Sequence, residues 1–265
     1  MMKDFVSVLK WTFKNDFGEP FPELLVFLFV FVVATSNFID AQGTDELFAN
    51  LTWRVIIILI IMVGIGGMRS YSQALERGEM GLEMLNLRAS RVRFAFLKYL
   101  AVLLIFAVIL LVVDIVGFAE FLGYFPSIQY YSMWGSAPTA TFAIMFLEQL
   151  LLLFFLNSVI FLIALAVRRP TVVLLGFFVF AIFLAMPSTF TQLKVPEYLQ
   201  LGYGDYEIVN QLSGFFFVLF YRNTASQIHI FAPNTVAVFS LIYRGSVGVA
   251  ALVSALQIFK KADMD

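Results

Sequence analysis

Long apolar runs with few charges dominate the hydrophobic pattern of this chain. A helix needs about 20 mostly apolar residues to cross the hydrocarbon core of a bilayer, which is about 30 Å thick. Only helices and closed barrels satisfy the backbone polar groups there. Six runs are long enough, at residues 21–39, 51–68, 99–119, 141–167, 171–190 and 236–259. The pattern therefore predicts an all-α membrane protein with six transmembrane helices.

A seventh apolar stretch, residues 208–221, is too short to span comfortably and is interrupted by polar residues near its start. We interpret it as a re-entrant helical element on the outer side, before the last span. It falls within a predicted outer loop, 187–235, which begins with a segment rich in proline, glycine and tyrosine.

The N-terminal residues 1–20 have the pattern of an amphipathic helix. Phe5, Leu9, Thr12 and Phe13 recur at i, i+4, i+7 and i+8, while the lysines take other faces. Such a helix lies in the membrane interface, and we expect this one on the inner leaflet. No internal repeat is present, so we expect a single transmembrane domain over the whole chain, residues 1–265.

Composition and charge agree with a multi-pass membrane protein. The chain is 61% hydrophobic and 13% charged, whereas soluble domains carry about 25% charged residues. Basic residues near span ends favour the cytoplasm. We therefore expect a protein of the cell membrane with both termini in the cytoplasm. This orientation puts most basic residues on the cytoplasmic side: Lys3, Lys10, Lys14, the six of residues 69–98, Arg168, Arg169, Lys260 and Lys261. The bases left for the outer side or outer span ends are Arg54, Lys194, Arg222 and Arg244.

Residues 69–98, "RSYSQALERGEMGLEMLNLRASRVRFAFLK", hold six basic and three acidic side chains in an otherwise apolar chain. If residues 76–91 are helical, Met80, Met84, Leu87 and Arg91 share one face, and Glu76, Glu79 and Glu83 lie on the adjoining one. Such a helix can dock into a groove on another protein. Alternatively the segment is a solvated cytoplasmic loop, whose arginines at 88, 91 and 93 bind lipid phosphates.

The same segment resembles the connection between the second and third spans of type-2 ABC exporter permeases. The matching features are an acid-arginine pair, a glycine, a Leu-Glu-x-Leu helix, a Ser-Arg turn and a lysine entering the next span. Here they correspond to Glu76 with Arg77, Gly78 or Gly81, Leu82 to Leu85, Ala89 to Arg91, and Lys98. The family's frequent Leu-Pro before the turn is absent, because Arg88 and Ala89 follow Leu87.

The resemblance implies a permease that pairs with a second permease chain, identical or related, and with two ABC ATPase subunits. ATP and magnesium would bind to those subunits, since this chain has no G-x-x-x-x-G-K-[ST] motif and is not expected to be an enzyme. The candidate coupling residues are Glu76, Arg77, Glu79, Met80, Glu83, Met84, Leu87, Arg88 and Arg91. The cargo would be lipid-like, a hydrophobic peptide or drug-like. A mechanotransmission or immunity permease that moves no cargo is an alternative.

Three ionisable residues form a candidate intramembrane polar site. Asp114, Glu148 and Arg244 fall in or near predicted spans, where such groups are costly and are often functional or paired. One alternative is an intramembrane enzyme that uses Asp114 and Glu148 as paired acids. The other is that both acids lie close to the outer interface, where they are hydrated or hydrogen-bonded. With no cysteine and only His229, we expect no metal site or cofactor in this chain, and its charge balance gives no support for nucleic-acid binding.

Overall fold

Helices make up nearly all of the part of the chain that the computed structural model describes, which is residues 2–18, 44–87, 90–124, 138–185, 220–222, 228–230 and 235–261. The elements are α1 Met2–Asn15, α2 Thr44–Gly67, a π-helical segment Met68–Gln73, α3 Ala74–Glu76, α4 Glu79–Leu87, α5 Arg91–Tyr124, α6 Pro138–Val167, α7 Pro170–Ala185, β1 Phe220–Arg222, β2 Ile228–Ile230 and α8 Thr235–Lys261. The helical architecture predicted from the sequence is confirmed for these helices.

Among the residues that the structure describes, three segments are long and apolar enough to cross a membrane: Ile57–Glu76, Arg91–Val116 and Gln149–Val167. They overlap the second, third and fourth predicted spans, and they identify a membrane protein. At the fifth predicted span the structure has a shorter apolar helix, Pro170–Ala181. Helix α8 covers the sixth, whereas the first span, 21–39, is not among the described residues. The count of six spans therefore stays a prediction.

The two strands differ from the helical expectation. β1 and β2 pair in antiparallel register, with Phe220 opposite Ile230 and Tyr221 opposite His229. The predicted re-entrant helix over 208–221 is therefore wrong for its last two residues, because their backbone pairs with a second strand. The earlier part of that range falls outside the described structure.

Helix α6 contacts α2, α5, α7 and α8, and its contact with α8 is the most extensive among the described elements. Its inward face includes Leu153, Leu156, Ile160 and Ala164, which are buried and recur at helical spacing. Gly67 of α2 approaches this face so closely that a Cβ atom there would lie 2.8 Å from Ile160 Cγ2. The absence of a side chain at Gly67 thus permits the close packing of α2 on α6.

Several of the predicted cytoplasmic charges meet at one end of the bundle. Tyr99 Oη, in the first third of α5, lies 2.8 Å from Ser158 Oγ, in the last third of α6. The start of α5 is therefore close to the end of α6. Helix α6 then turns into α7 through Arg168 and Arg169, both exposed. Helix α1 contacts α5 at the same end, through its ion pairs with the first turns of α5.

Candidate functional site

Helix α4 is a short helix that follows a turn. α3 ends at Glu76, and Gly78 then adopts φ +69°, a left-handed conformation that glycine takes at little cost. Helix α4 covers the nine residues Glu79–Leu87, and Ser90 is not helical. The continuous helix predicted over 76–91 is therefore wrong, because Arg77 and Gly78 form a turn and Ser90 lies outside any helix.

The apolar stripe of α4 packs on the protein's own core. Met80 is fully buried, and Met84 and Leu87 pack partly buried against the same core cluster. Glu83 points inward as well and is only 5% exposed. The stripe thus faces inward rather than toward a partner, because the nearest apolar surface that it can bury against is the bundle itself.

The opposite face of α4 is the one that projects from the bundle. Leu82 and Leu85 are 64% and 69% exposed, one turn apart on this face. Glu76 and Arg77, just before α4, are also exposed. Arg77 Nη1 lies 3.9 Å from Glu79 Oε1. Arg91 is exposed at the start of α5, whereas Arg88 is not in the described part of the chain. The sequence pattern contained the two leucines, but their exposure could not be read from it.

Next to α4 lies a group of charged and aromatic side chains, here called the charge cluster: the buried Asp16, Glu83 and Lys98, and the partly buried Trp11. Lys98 Nζ lies 2.6 Å from Asp16 Oδ2 and 3.8 Å from Glu83 Oε2. It also lies 4.3 Å from the centre of the Trp11 ring, within the range of a cation–π contact. One ammonium therefore joins α1, α4 and α5. From the sequence Lys98 was a span-entry lysine, and no role was assigned to Asp16.

The two acids of the charge cluster are in different electrostatic situations. The pKa of Glu83 is raised to about 7, mainly because the side chain is buried. The positive charge of Lys98 lowers this pKa, and the negative charges of Asp16 and Glu79 raise it. Burial also raises the pKa of Asp16, while the neighbouring Lys98 ammonium lowers it. Neither Glu83 oxygen has a hydrogen-bond partner. The cluster therefore contains one close ion pair and a second acid that changes charge near neutral pH.

Two residues of the predicted polar site, Asp114 and Arg244, are buried in the bundle, and the partner of Asp114 is Gln149, which the sequence analysis did not name. Asp114, Gln149 and Arg244 are each at most 3% exposed. With the Gln149 amide nitrogen turned toward Asp114, it donates to both carboxylate oxygens, 2.8 Å from Oδ1. Arg244 is on α8, which contacts both α5 and α6. Nothing is described of the Glu148 side chain, so its pairing with Asp114 stays a prediction.

Within the described ranges, no three His, Cys, Asp or Glu side chains come together as a metal site would require. The chain matches no protein-family model, and no curated protein matches it significantly. Its function therefore has to be argued from the two faces of α4 and the charge cluster.

Proposed function

We propose that this protein is the transmembrane permease subunit of an ATP-driven type-2 ABC exporter. Two permease chains, identical or related, form the substrate pathway, and two separate ATPase subunits bind ATP and magnesium. The cargo is lipid-like, a hydrophobic peptide or drug-like. The protein has six spans and both termini on the cytoplasmic side of the cell membrane. It transmits movement to the pathway and catalyses no reaction itself.

The observation that carries this proposal is the division of α4 into an anchored face and a projecting face. The projecting face offers an apolar pair, Leu82 and Leu85, flanked by the charges of Arg77 and Glu79. An apolar centre with a charged rim is the usual composition of a protein–protein interface. Side chains as exposed as these leucines are stabilised when a partner covers them. An ATPase groove is the partner that this proposal assigns.

The anchored face gives α4 a route by which to pass movement on. Met80 is fixed in the core, and Glu83 lies near Lys98, which in turn holds Asp16, just after α1. Packed interiors transmit displacement because they leave few voids. A push on the projecting face would therefore move the start of α5, a membrane-spanning helix, together with α1.

The position of the charges supports the orientation in this proposal. The described basic turn Arg168–Arg169, the start of α5 and the lysine-bearing helix α1 lie at the same end of the bundle. Basic residues favour the cytoplasmic side. The projecting face of α4 is at this end too, where an ATPase would reach it.

The test is copurification from native membranes followed by mass spectrometry and an ATP-dependent transport assay. The double variant Leu82→Ser with Leu85→Ser should lose the ATPase while the thermal stability of the permease stays unchanged. The matched control is Phe13→Ser, because Phe13 on α1 is 63% exposed at the same end of the bundle but lies outside α4. Recovery of the wild-type protein without an ATPase, or retention of the ATPase by the double variant, would refute the proposal. An ATPase that copurifies without any cargo movement would favour the mechanotransmission alternative.

A further inference from the structure

The outward face of α1 carries a stripe of lysines beside two exposed apolar side chains. Lys3, Lys10 and Lys14 are all exposed and recur at i, i+7 and i+11, which brings them to one side of the helix at about 100° per residue. Phe13 is 63% exposed and Val6 is 41% exposed. The lysines lie on other faces of the helix, as the sequence pattern predicted. Phe13, predicted on the apolar face of an interfacial helix, is not covered by the bundle.

The side chains of α1 follow a definite order around the helix. Val8 and Thr12 are buried against the bundle, and Phe5 and Leu9 come next and pack partly buried on the same core. Continuing around the helix at about 100° per residue, the exposed pair Val6 and Phe13 follows, and then the lysines. The apolar surface of α1 therefore extends beyond what the bundle covers, and the positive charges begin where it ends.

Two ion pairs attach α1 to the start of α5. Arg93 Nη2 lies 2.5 Å from Asp4 Oδ2, and Lys98 Nζ lies 2.6 Å from Asp16 Oδ2. Phe17 also contacts Phe106 of α5, with the ring centroids 5.5 Å apart. The membrane-spanning segment of α5 begins at Arg91. The lysine stripe of α1 therefore lies near one surface of the membrane.

We propose that this outward face of α1 binds the headgroups of anionic phospholipids. The three lysines contact lipid phosphates, while Phe13 and Val6 enter the boundary between headgroups and acyl chains. A helix with this order of apolar and basic residues, held beside the start of a membrane-spanning helix, matches the chemistry of an anionic lipid surface. The methylene chain of a lysine can lie along an apolar boundary while its ammonium group reaches the headgroups. This binding site is independent of α4 and of any ATPase.

The absence of cysteine permits a local probe of this face. Ser7 is exposed within the lysine stripe, so a Ser7→Cys variant of the full-length protein carries a single position for an environment-sensitive fluorophore. The labelled protein in neutral detergent is titrated with short-chain phosphatidylglycerol and, separately, with phosphatidylcholine. We expect the emission to shift to the blue with phosphatidylglycerol only. Each Lys→Gln change in the stripe should weaken the response about fivefold, as expected for about 1 kcal/mol per basic residue.

Two further variants control for total charge and for the kind of base. Changing all three stripe lysines to arginine should keep the response. Lys260→Gln with Lys261→Gln removes two exposed positive charges from the end of α8 and should leave the label's response unchanged. An equal response to both lipids, a wild-type response from the triple Lys→Gln variant, or an equal loss in the α8 variant would overturn the proposal. A label that responds to neither lipid would also overturn the proposal, and an acidic protein would then be the expected partner of this face.

Discussion

Lys98 of α5 and Asp16, just after α1, form an ion pair of 2.6 Å although 82 residues separate them in the chain and both side chains are buried. Taking two charges out of water is costly, and the cost is offset only when the partners meet with good geometry. The pair therefore specifies where α1 attaches to the first turns of a membrane-spanning helix. Its position next to α4 makes it the centre of the proposed coupling route.

Lys98→Met should strongly destabilise the protein because Asp16 loses the cation that compensates its buried charge. Removing one partner of a buried pair costs about 3–5 kcal/mol. Thermal unfolding of the purified protein in detergent measures this loss. Arg93→Gln is the control, since it breaks the partly exposed pair with Asp4 and should cost at most about 1 kcal/mol. Equal losses in the two variants would contradict a special role for Lys98.

A double variant separates the ion pair from general packing at the same position. Asp16→Asn combined with Lys98→Met removes both charges, so it should be more stable than Lys98→Met alone. Unfolding temperatures of the two single variants and the double variant form the thermodynamic cycle. If the losses simply add, the two side chains do not interact in the folded protein.

Glu83 should make stability fall as the pH rises from about 4.5 to about 7. In that range the folded protein keeps the Glu83 proton, because burial raises its pKa to about 7, while the unfolded chain, with a value near 4.5, has lost it. The free energy of unfolding then decreases with pH, by at most about 3 kcal/mol. Glu83→Gln should remove this decrease and be more stable than the wild type at pH 8, but similar at pH 5.

The measurement is the unfolding temperature of both proteins across that pH range. Asp16, Lys98 and Glu79 face Glu83 in both, so their own titrations cancel in the comparison. Parallel pH profiles for the wild type and Glu83→Gln would show that Glu83 does not titrate in this range.

Gly248→Ala should loosen the contact between α6 and α8. A Cβ atom at this position would lie 2.6 Å from Phe154 Cε1, so the ring has to move, at a cost of about 1–3 kcal/mol. Gly245, in the same helix, has nothing within 4 Å of its Cβ position. Gly245→Ala should therefore be neutral or stabilising by up to about 1 kcal/mol. The measurement is the unfolding temperature of each variant in detergent, and similar temperatures for the two would contradict the observed packing.

Asp114 distinguishes the permease from the intramembrane enzyme. Asp114→Asn keeps a polar partner for Gln149 and should preserve ATP-driven activity, whereas an enzyme that uses this acid would lose its activity. Gln149→Leu leaves the buried carboxylate without this donor and should destabilise the protein by at least about 2 kcal/mol. Unfolding temperature and ATPase coupling, measured on both variants, separate the structural role from a catalytic one.

The sequence by itself determined the features that depend on local composition and spacing. Long apolar runs sufficed to predict the three described spans, and the period of apolar residues sufficed to predict α1. The concentration of charges in residues 69–98 located the segment that contains α4. Gly78 also indicated where a helix can end, but the interpretation of 76–91 as one helix did not take this glycine into account. Each of these depends on neighbours within a few turns of the same helix.

Only the tertiary structure decided which face of α4 remains free and which charges meet. An apolar stripe such as Met80 with Met84 shows that one face will be covered, but the pattern is the same whether the cover is a partner or the chain's own core. Likewise, Asp16 is an ordinary acid in the sequence, and its pairing with Lys98 depends on how α1 packs on α5. These outcomes follow from packing between distant segments, which local patterns do not encode.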